Sequence, residues 1–290
     1  MNARYGVIGV KMDFLLTRML FVLAGVLACA GMSAFGAQTD AGRGTLGFDR
    51  NDYPGTAGMR EMRKEFAFAG YWLTPPPGTT TNSWARKRKE MEALGYGFLL
   101  LARGRAANAV RTAAGAGKMG AADAREAVRS AKVEGFANGG IIFIDVEDGG
   151  RLAAEYHAYL RAWADEIVKL GFRPGAYCSG MAVDEGGGVT IVTANDIRSN
   201  EAPRSFAYWV FNDVCPPSPG CVSVGNPPLP PASGVKDAAV WQFVRSPREK
   251  QTASRCSGYA ADENCYAAAD AAKKWHLDIN VAASSNPSFH

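Results

Sequence analysis

Eight short apolar runs, helical stretches between the first six of them, and a proline-rich, helix-poor last third predict an α/β fold, an irregular TIM-like (β/α)8 barrel. The runs are LGFD (46–49), FAFAGYWL (66–73), GFLLLA (97–102), GIIFIDVE (140–147), RPGAYCS (173–179), FAYWVF (206–211), AAVWQFV (238–244) and HLDINVA (276–282). Near-continuous apolar runs of this length suit strands buried on both faces, which is the pattern of a parallel sheet covered by helices.

Helical periodicity fills the first five gaps, near 56–65, over 82–94, 120–134 and 152–170, and in a short piece at 193–199. In the second of these, NSWARKRKEMEAL, Trp84, Met91 and Leu94 give an apolar side, so the basic run ARKRKE (85–90) reads as its solvated face rather than as a nucleic-acid contact. After the sixth strand, CPPSPGCVSVGNPPLPPASG holds too many prolines for a helix. Because strands continue beyond it, it reads as a long barrel loop and not as a linker. Before the eighth strand only CYAAADAAKK looks helical. There is no internal repeat, and one barrel domain over 45–285 accounts for the pattern.

The chain has 290 residues, is 47% hydrophobic and carries a formal charge of +4, a balance too mild to imply a nucleic-acid partner. Residues 1–37 join a basic start to the run MLFVLAGVLACAGMSAFGA and read as a signal peptide or N-terminal anchor. The expectation is a bacterial protein exported to the periplasm, the cell envelope or the medium. VLAC (26–29) loosely matches a lipobox that would place a lipid on Cys29, so contact with a membrane is expected only through that N-terminus. In an oxidising compartment, the close spacings of Cys215 with Cys221 and of Cys256 with Cys265 suggest two local disulfides. Cys178 is then left as a buried thiol, and without any CxxC pair a zinc site is not indicated.

Function in such a barrel sits where strands end. The first run closes with Asp49, the fourth carries Asp145 and Glu147, which share a face because side chains alternate, and the eighth carries Asp278. Tyr71, Tyr177, Trp209 and Trp241, with Gln242, occupy comparable positions. Carboxylates among aromatic platforms suit a carbohydrate, since sugar C–H faces pack on rings while carboxylates bind hydroxyls and move protons. Glycoside cleavage needs an acid for the leaving oxygen and a second group for the cationic centre. Asp145 and Glu147 can supply both, with Glu147 kept protonated by the crowding of Asp49, Asp145 and Asp278. A calcium site is the competing use of four carboxylates. Asp148 reads as a turn or N-cap residue, and His157 and His276 as structural.

In order, GFD, FIDVED, YWVFND, VWQF and LDIN resemble glycoside hydrolase family 25, the lysozyme-like muramidases, and more closely the glycoside-hydrolase-like domain of unknown function numbered 1906. The resemblance implies an irregular barrel, a catalytic glutamate at Glu147, an aspartate at Asp145 that assists the substrate's acetamido group, and strand-end aspartates at Asp49 and Asp278. The loop in GYWLTPPPG departs from the muramidases. The implied activity is hydrolysis of a cell-wall glycan, peptidoglycan foremost, by a monomer without cofactor or metal. The alternative is a non-catalytic wall-binding protein on the same barrel.

Overall fold

A computed structural model describes residues 42–213, 227–245 and 277–290. The N-terminal segment and Cys29, Cys215, Cys221, Cys256, Cys265 and His276 lie outside the described residues, and so do the disulfide pairings expected for four of these cysteines. Cys178 is a buried free thiol.

The eight expected strands close into one barrel. Strands β1 (Thr45–Asp49), β2 (Phe68–Trp72), β3 (Gly97–Ala102), β4 (Ile141–Asp145) and β5 (Arg173–Ser179) lead to a side hairpin of β6 (Ala182–Asp184) and β7 (Thr190–Val192). Then come β8 (Ala207–Phe211), β9 (Ala238–Val244) and β10 (Asp278–Ala282). Around the barrel the order is β1-β10-β9-β8-β5-β4-β3-β2. Neighbours run parallel except at β10, which is antiparallel to both β1 and β9. The parallel sheet expected from the apolar runs therefore holds for seven strands. Val244 ends β9 and lies beside Ile279 at the start of β10, so β9 ends and β10 begins on the same rim.

Helices α1 (Gly55–Met62), α2 (Arg88–Ala93), α3 (Ala113–Glu134), α4 (Ala154–Lys169) and α5 (Thr193–Glu201) cover the outside of the first two thirds, in the expected gaps. Helix α3 starts at Thr112, whose hydroxyl accepts the Gly115 N–H at 3.2 Å, and stops at Gly135, whose left-handed φ of 84° costs a glycine nothing. Helix α2 is shorter than its periodicity suggests. Arg86 adopts a φ of 67°, which breaks the turn, while Trp84 stays fully buried and donates its indole N–H to the Asn51 carbonyl at 3.0 Å.

Two tethers hold the loop after β4. The β6–β7 hairpin, unforeseen in the sequence, grips it through Glu185, which accepts from the Arg151 backbone and guanidinium at 3.0 Å each. Below it, Asp196 on α5 accepts the Leu152 N–H at 2.9 Å, and buried His157 on α4 bridges Asp196 and Glu201 at 3.0 and 2.9 Å. The structural reading of His157 fits this placement. At the opposite rim the C-terminal residues seal the gap between β3 and β4. Asn286 Oδ1 and Ser288 Oγ accept the Phe98 and Leu100 N–H groups at 2.8 Å each, and Phe289 stacks on Phe136.

Alternation on β9 sends Gln242 into the barrel and Trp241 outward, where it is 1% exposed, packs beside Phe243 and donates to the Asn212 carbonyl at 2.9 Å. Trp241 is a core residue and not the sugar platform expected from its place beside Gln242. Trp241→Ala should cost about 3–5 kcal/mol of stability, the usual loss for a large buried aromatic, read as a lowered denaturant midpoint.

Candidate active site

The C-terminal rim of the barrel gathers Asp49, Asp145, Glu147 and Asp278, the four expected acids. Asp278 opens its strand, and only the reversed direction of β10 brings it to this rim, opposite Asp49 in the β1–β10 register.

Below the rim the lumen holds a chain of polar side chains. The Tyr177 hydroxyl donates to Gln242 Oε1 at 2.8 Å, and Gln242 Nε2 donates to Asp49 Oδ1 at 3.0 Å. From the other side, the Trp209 indole N–H donates to Asn280 Oδ1 at 2.8 Å and Asn280 Nδ2 donates to the same Asp49 oxygen at 2.6 Å. The Trp209 indole N–H can only donate, which fixes the Asn280 amide, while Gln242 is oriented by its donation to Asp49. Tyr177 and Trp209 also meet edge to face inside the lumen, 4.7 Å between ring centres, with Trp209 fully buried and Tyr177 half-buried. Tyr71 does not join them. It points outward among Trp84, Phe98 and Phe136, fully buried, and its hydroxyl accepts the Lys87 N–H at 3.2 Å. The inward neighbour is Trp72, 4% exposed, whose indole N–H is buried without a partner.

Two glycines make room for the acids. A Cβ on Gly70 would lie 2.5 Å from the Asp49 Cβ, and one on Gly104 would strike the Asp145 carbonyl oxygen.

Burial dominates the electrostatics. Asp49 is raised from an ordinary 3.8 to about 6, first by desolvation and less by Glu147, with the Asn280 and Gln242 hydrogen bonds pulling the other way. Asp145, 4% exposed, is pushed well up by desolvation and then by Glu147 and Asp49. Glu147, exposed at the mouth, is also raised by desolvation, and Arg245 draws it down. Asp145 and Glu147 stand within hydrogen-bonding reach of each other, which favours one proton held between them. One oxygen of Asp145, Oδ1, is buried and has no partner.

Cations complete the ring. Arg245 pairs with buried Asp213 at 2.8 Å and lies over the Phe211 ring, 4.7 Å from its centre. Arg103 acts on Asp145 from the β3 side. Arg245 closes the seventh apolar run, and Asn280 lies two residues after Asp278, so strand-end position and period-two spacing carry a signal for both. Attention to acids and rings alone passes over them. Asp148 accepts the Ala107 N–H at 3.0 Å and so ties the β3–α3 loop to β4, whereas the N-cap of α4 is Ala153. Among the described residues no three His, Cys, Asp or Glu side chains converge into a group able to hold a metal ion.

Residues 73–214 match the model of the Rv2525c-like, glycoside hydrolase-like domain. Over that segment the chain is similar to that family. The match spans Asp145, Glu147, Tyr177 and Trp209, while Asp49, Gln242 and Asp278 fall outside it. An uncharacterized B. stearothermophilus protein shares the fold, at 20% identity and a TM-score of 0.55 over 85% of this chain and 99% of its own. Looser similarity extends to the catalytic domain of endolysin ply40 from bacteriophage P40 of Listeria monocytogenes, at 12% identity and TM-score 0.47 over 83% of this chain and 94% of that one. The Clostridium perfringens spore cortex lytic enzyme SleM gives 14%, 0.46, 82% and 67% for the same measures. No curated protein matches the chain. The resemblance to glycoside-hydrolase-like domains read from the five sequence motifs agrees with the Rv2525c-like match.

A carboxyl that binds its proton more tightly in the folded chain favours folding below its unfolded value, and that contribution fades as pH rises through the folded value. For Asp49 the window is pH 4–6, and a shift of this size corresponds to about 3 kcal/mol at most. Asp49→Asn keeps an oxygen for both amide donors and removes the charge. It should match the unmutated chain in stability near pH 4 and exceed it above pH 7, as read by urea titration at each pH.

Proposed function

We propose that the protein is an exported glycoside hydrolase acting on a cell-wall glycan with 2-acetamido sugars, peptidoglycan foremost. The observation that carries the reading is the Asp145–Glu147 pair at the mouth, with one buried Asp145 oxygen left unpartnered.

In this reading Glu147 faces the cleft and protonates the leaving glycosidic oxygen. Asp145 is too enclosed to protonate that oxygen, but its buried, unpartnered Oδ1 suits the N–H of an acetamido group that enters the cleft. A donor placed there stabilises the Asp145 anion and moves the shared proton onto Glu147. Substrate binding thereby arms the acid. The acetamido oxygen, oriented by Asp145, then supports the cationic centre that develops as the bond breaks. Trp72 offers its unpartnered N–H to a substrate oxygen, and Asp49 and Asp278 keep the surroundings negative, which favours positive charge on the sugar. Tyr177 and Trp209 lie in the lumen below, with Tyr177 held by Gln242. The chemistry uses side chains of this chain alone, with no cofactor.

Export rests on the basic and apolar character of residues 1–37. No helix among the described residues is long and apolar enough to cross a membrane.

Glu147→Gln keeps the shape and removes the proton donor. It should fold, retain glycan binding and release reducing ends from purified peptidoglycan about two to four orders of magnitude more slowly, the usual contribution of a general acid. Asp145→Asn should lose activity as well, because the amide cannot accept the same N–H with a full charge. An unmutated chain that binds the wall polymer and releases nothing, with Glu147→Gln indistinguishable from it, would leave a wall-binding protein instead.

A further inference from the structure

Beside the carboxylates, on the β2–β3 side, lies an open cavity of about 530 Å³, a volume in the range of small-molecule sites. Its outer wall is the loop TPPPGTTTN, residues 74–82, which the acid chemistry does not use. This loop is built and not merely exposed. The Thr79 hydroxyl bonds the Pro76 and Thr81 carbonyls at 3.0 Å each, Asn82 Nδ2 donates to the Trp72 carbonyl at 2.7 Å, and Thr74 Oγ1 accepts the Arg103 N–H at 2.8 Å.

Two guanidiniums line the cavity, and they differ in what they have left to give. Arg105 is spent on Asp123 in a two-pronged pair at 2.8 and 2.6 Å, and Asp123 also accepts the Tyr159 hydroxyl at 2.9 Å. Arg103 has no carboxylate within 4 Å among the described residues, and its one side-chain contact is a long 3.5 Å approach to the Thr79 carbonyl. The exposed Thr80 hydroxyl, on the same lining, makes no hydrogen bond among the described residues. A planar, permanently charged fork with its donors open, lining the same cavity as a free hydroxyl, matches a carboxylate. Glu126 on the same wall disfavours a doubly charged group more than a singly charged one, which argues for carboxylate over phosphate.

We propose that this cavity is a subsite for a carboxylate-bearing substituent that branches from the glycan, with Arg103 as the group that binds the anion. It deepens the glycan reading above and rests on it. The site would distinguish a wall glycan whose sugars carry an acidic side branch from a plain N-acetylglucosamine polymer of the same length.

Two soluble oligosaccharides test it by calorimetric titration of the Glu147→Gln chain, in which turnover is blocked. One is the N-acetylglucosamine tetramer, and the other is a tetramer alternating with N-acetylmuramic acid, whose lactyl ether adds the carboxylate. The muramic tetramer should bind at least tenfold tighter, and the advantage should shrink between 50 mM and 500 mM NaCl. Added Arg103→Gln should erase the advantage, the muramic tetramer losing at least fivefold more affinity than the plain one, while Arg103→Lys should restore part of it. Equal binding of the two tetramers by the Glu147→Gln chain would overturn the subsite and leave the glycan reading standing. An equal loss for both tetramers in Arg103→Gln would also overturn it. Binding of neither would remove both readings together.

Discussion

One carboxylate oxygen organises the barrel interior. Asp49 Oδ1, at the end of β1, accepts amide donors from β9 and β10, and those amides are oriented by side chains on β5 and β8. Five of the eight strands therefore meet in a single hydrogen-bonded chain inside a lumen otherwise packed with apolar groups. Burying an acid there is costly, and two hydrogen bonds onto one oxygen offset only part of the cost, which is why Asp49 stays raised. The same enclosure raises Asp145 and Glu147, so the network that closes the barrel also sets the proton affinity of its mouth.

Much of this was legible in the residues. Apolar runs bounded by glycine, proline and polar clusters located all eight strands, because a strand buried on both faces needs an unbroken apolar run. Helices were equally clear where long amphipathic stretches lie between strands. Strand direction was not legible. HLDINVA reads the same in either sense, and the antiparallel course of β10 follows from the rim on which the chain re-enters. The β6–β7 hairpin was invisible for a different reason, since AVDEGGGVTIV is short, glycine-rich and exposed, with no buried face to impose a period.

The site shows the same division. DVE fixes two acids on one face wherever the strand lies, so Asp145 and Glu147 could be paired from sequence alone. For aromatics the period leaves a choice of phase. In GYWL either Tyr71 or Trp72 faces the lumen, and in VWQF either Trp241 or Gln242 does. A one-residue shift exchanges a core ring for a cleft ring, and only the inward course of Gly70 beneath Asp49 and of Gln242 toward it settles the phase.

The antiparallel pairing of β1 with β10 also has a consequence in time. Thr45 pairs with Ala282, so the first strand to be synthesised waits for the last before its second edge is covered. The N–H groups of Phe98 and Leu100 wait longer still, for Asn286 and Ser288. A chain emerging from its amino end thus carries an open sheet edge until β10 has been made, the condition under which strands find wrong partners. Closure waits for β10 and then for Asn286 and Ser288, and the proton affinities at the mouth do not exist until it happens.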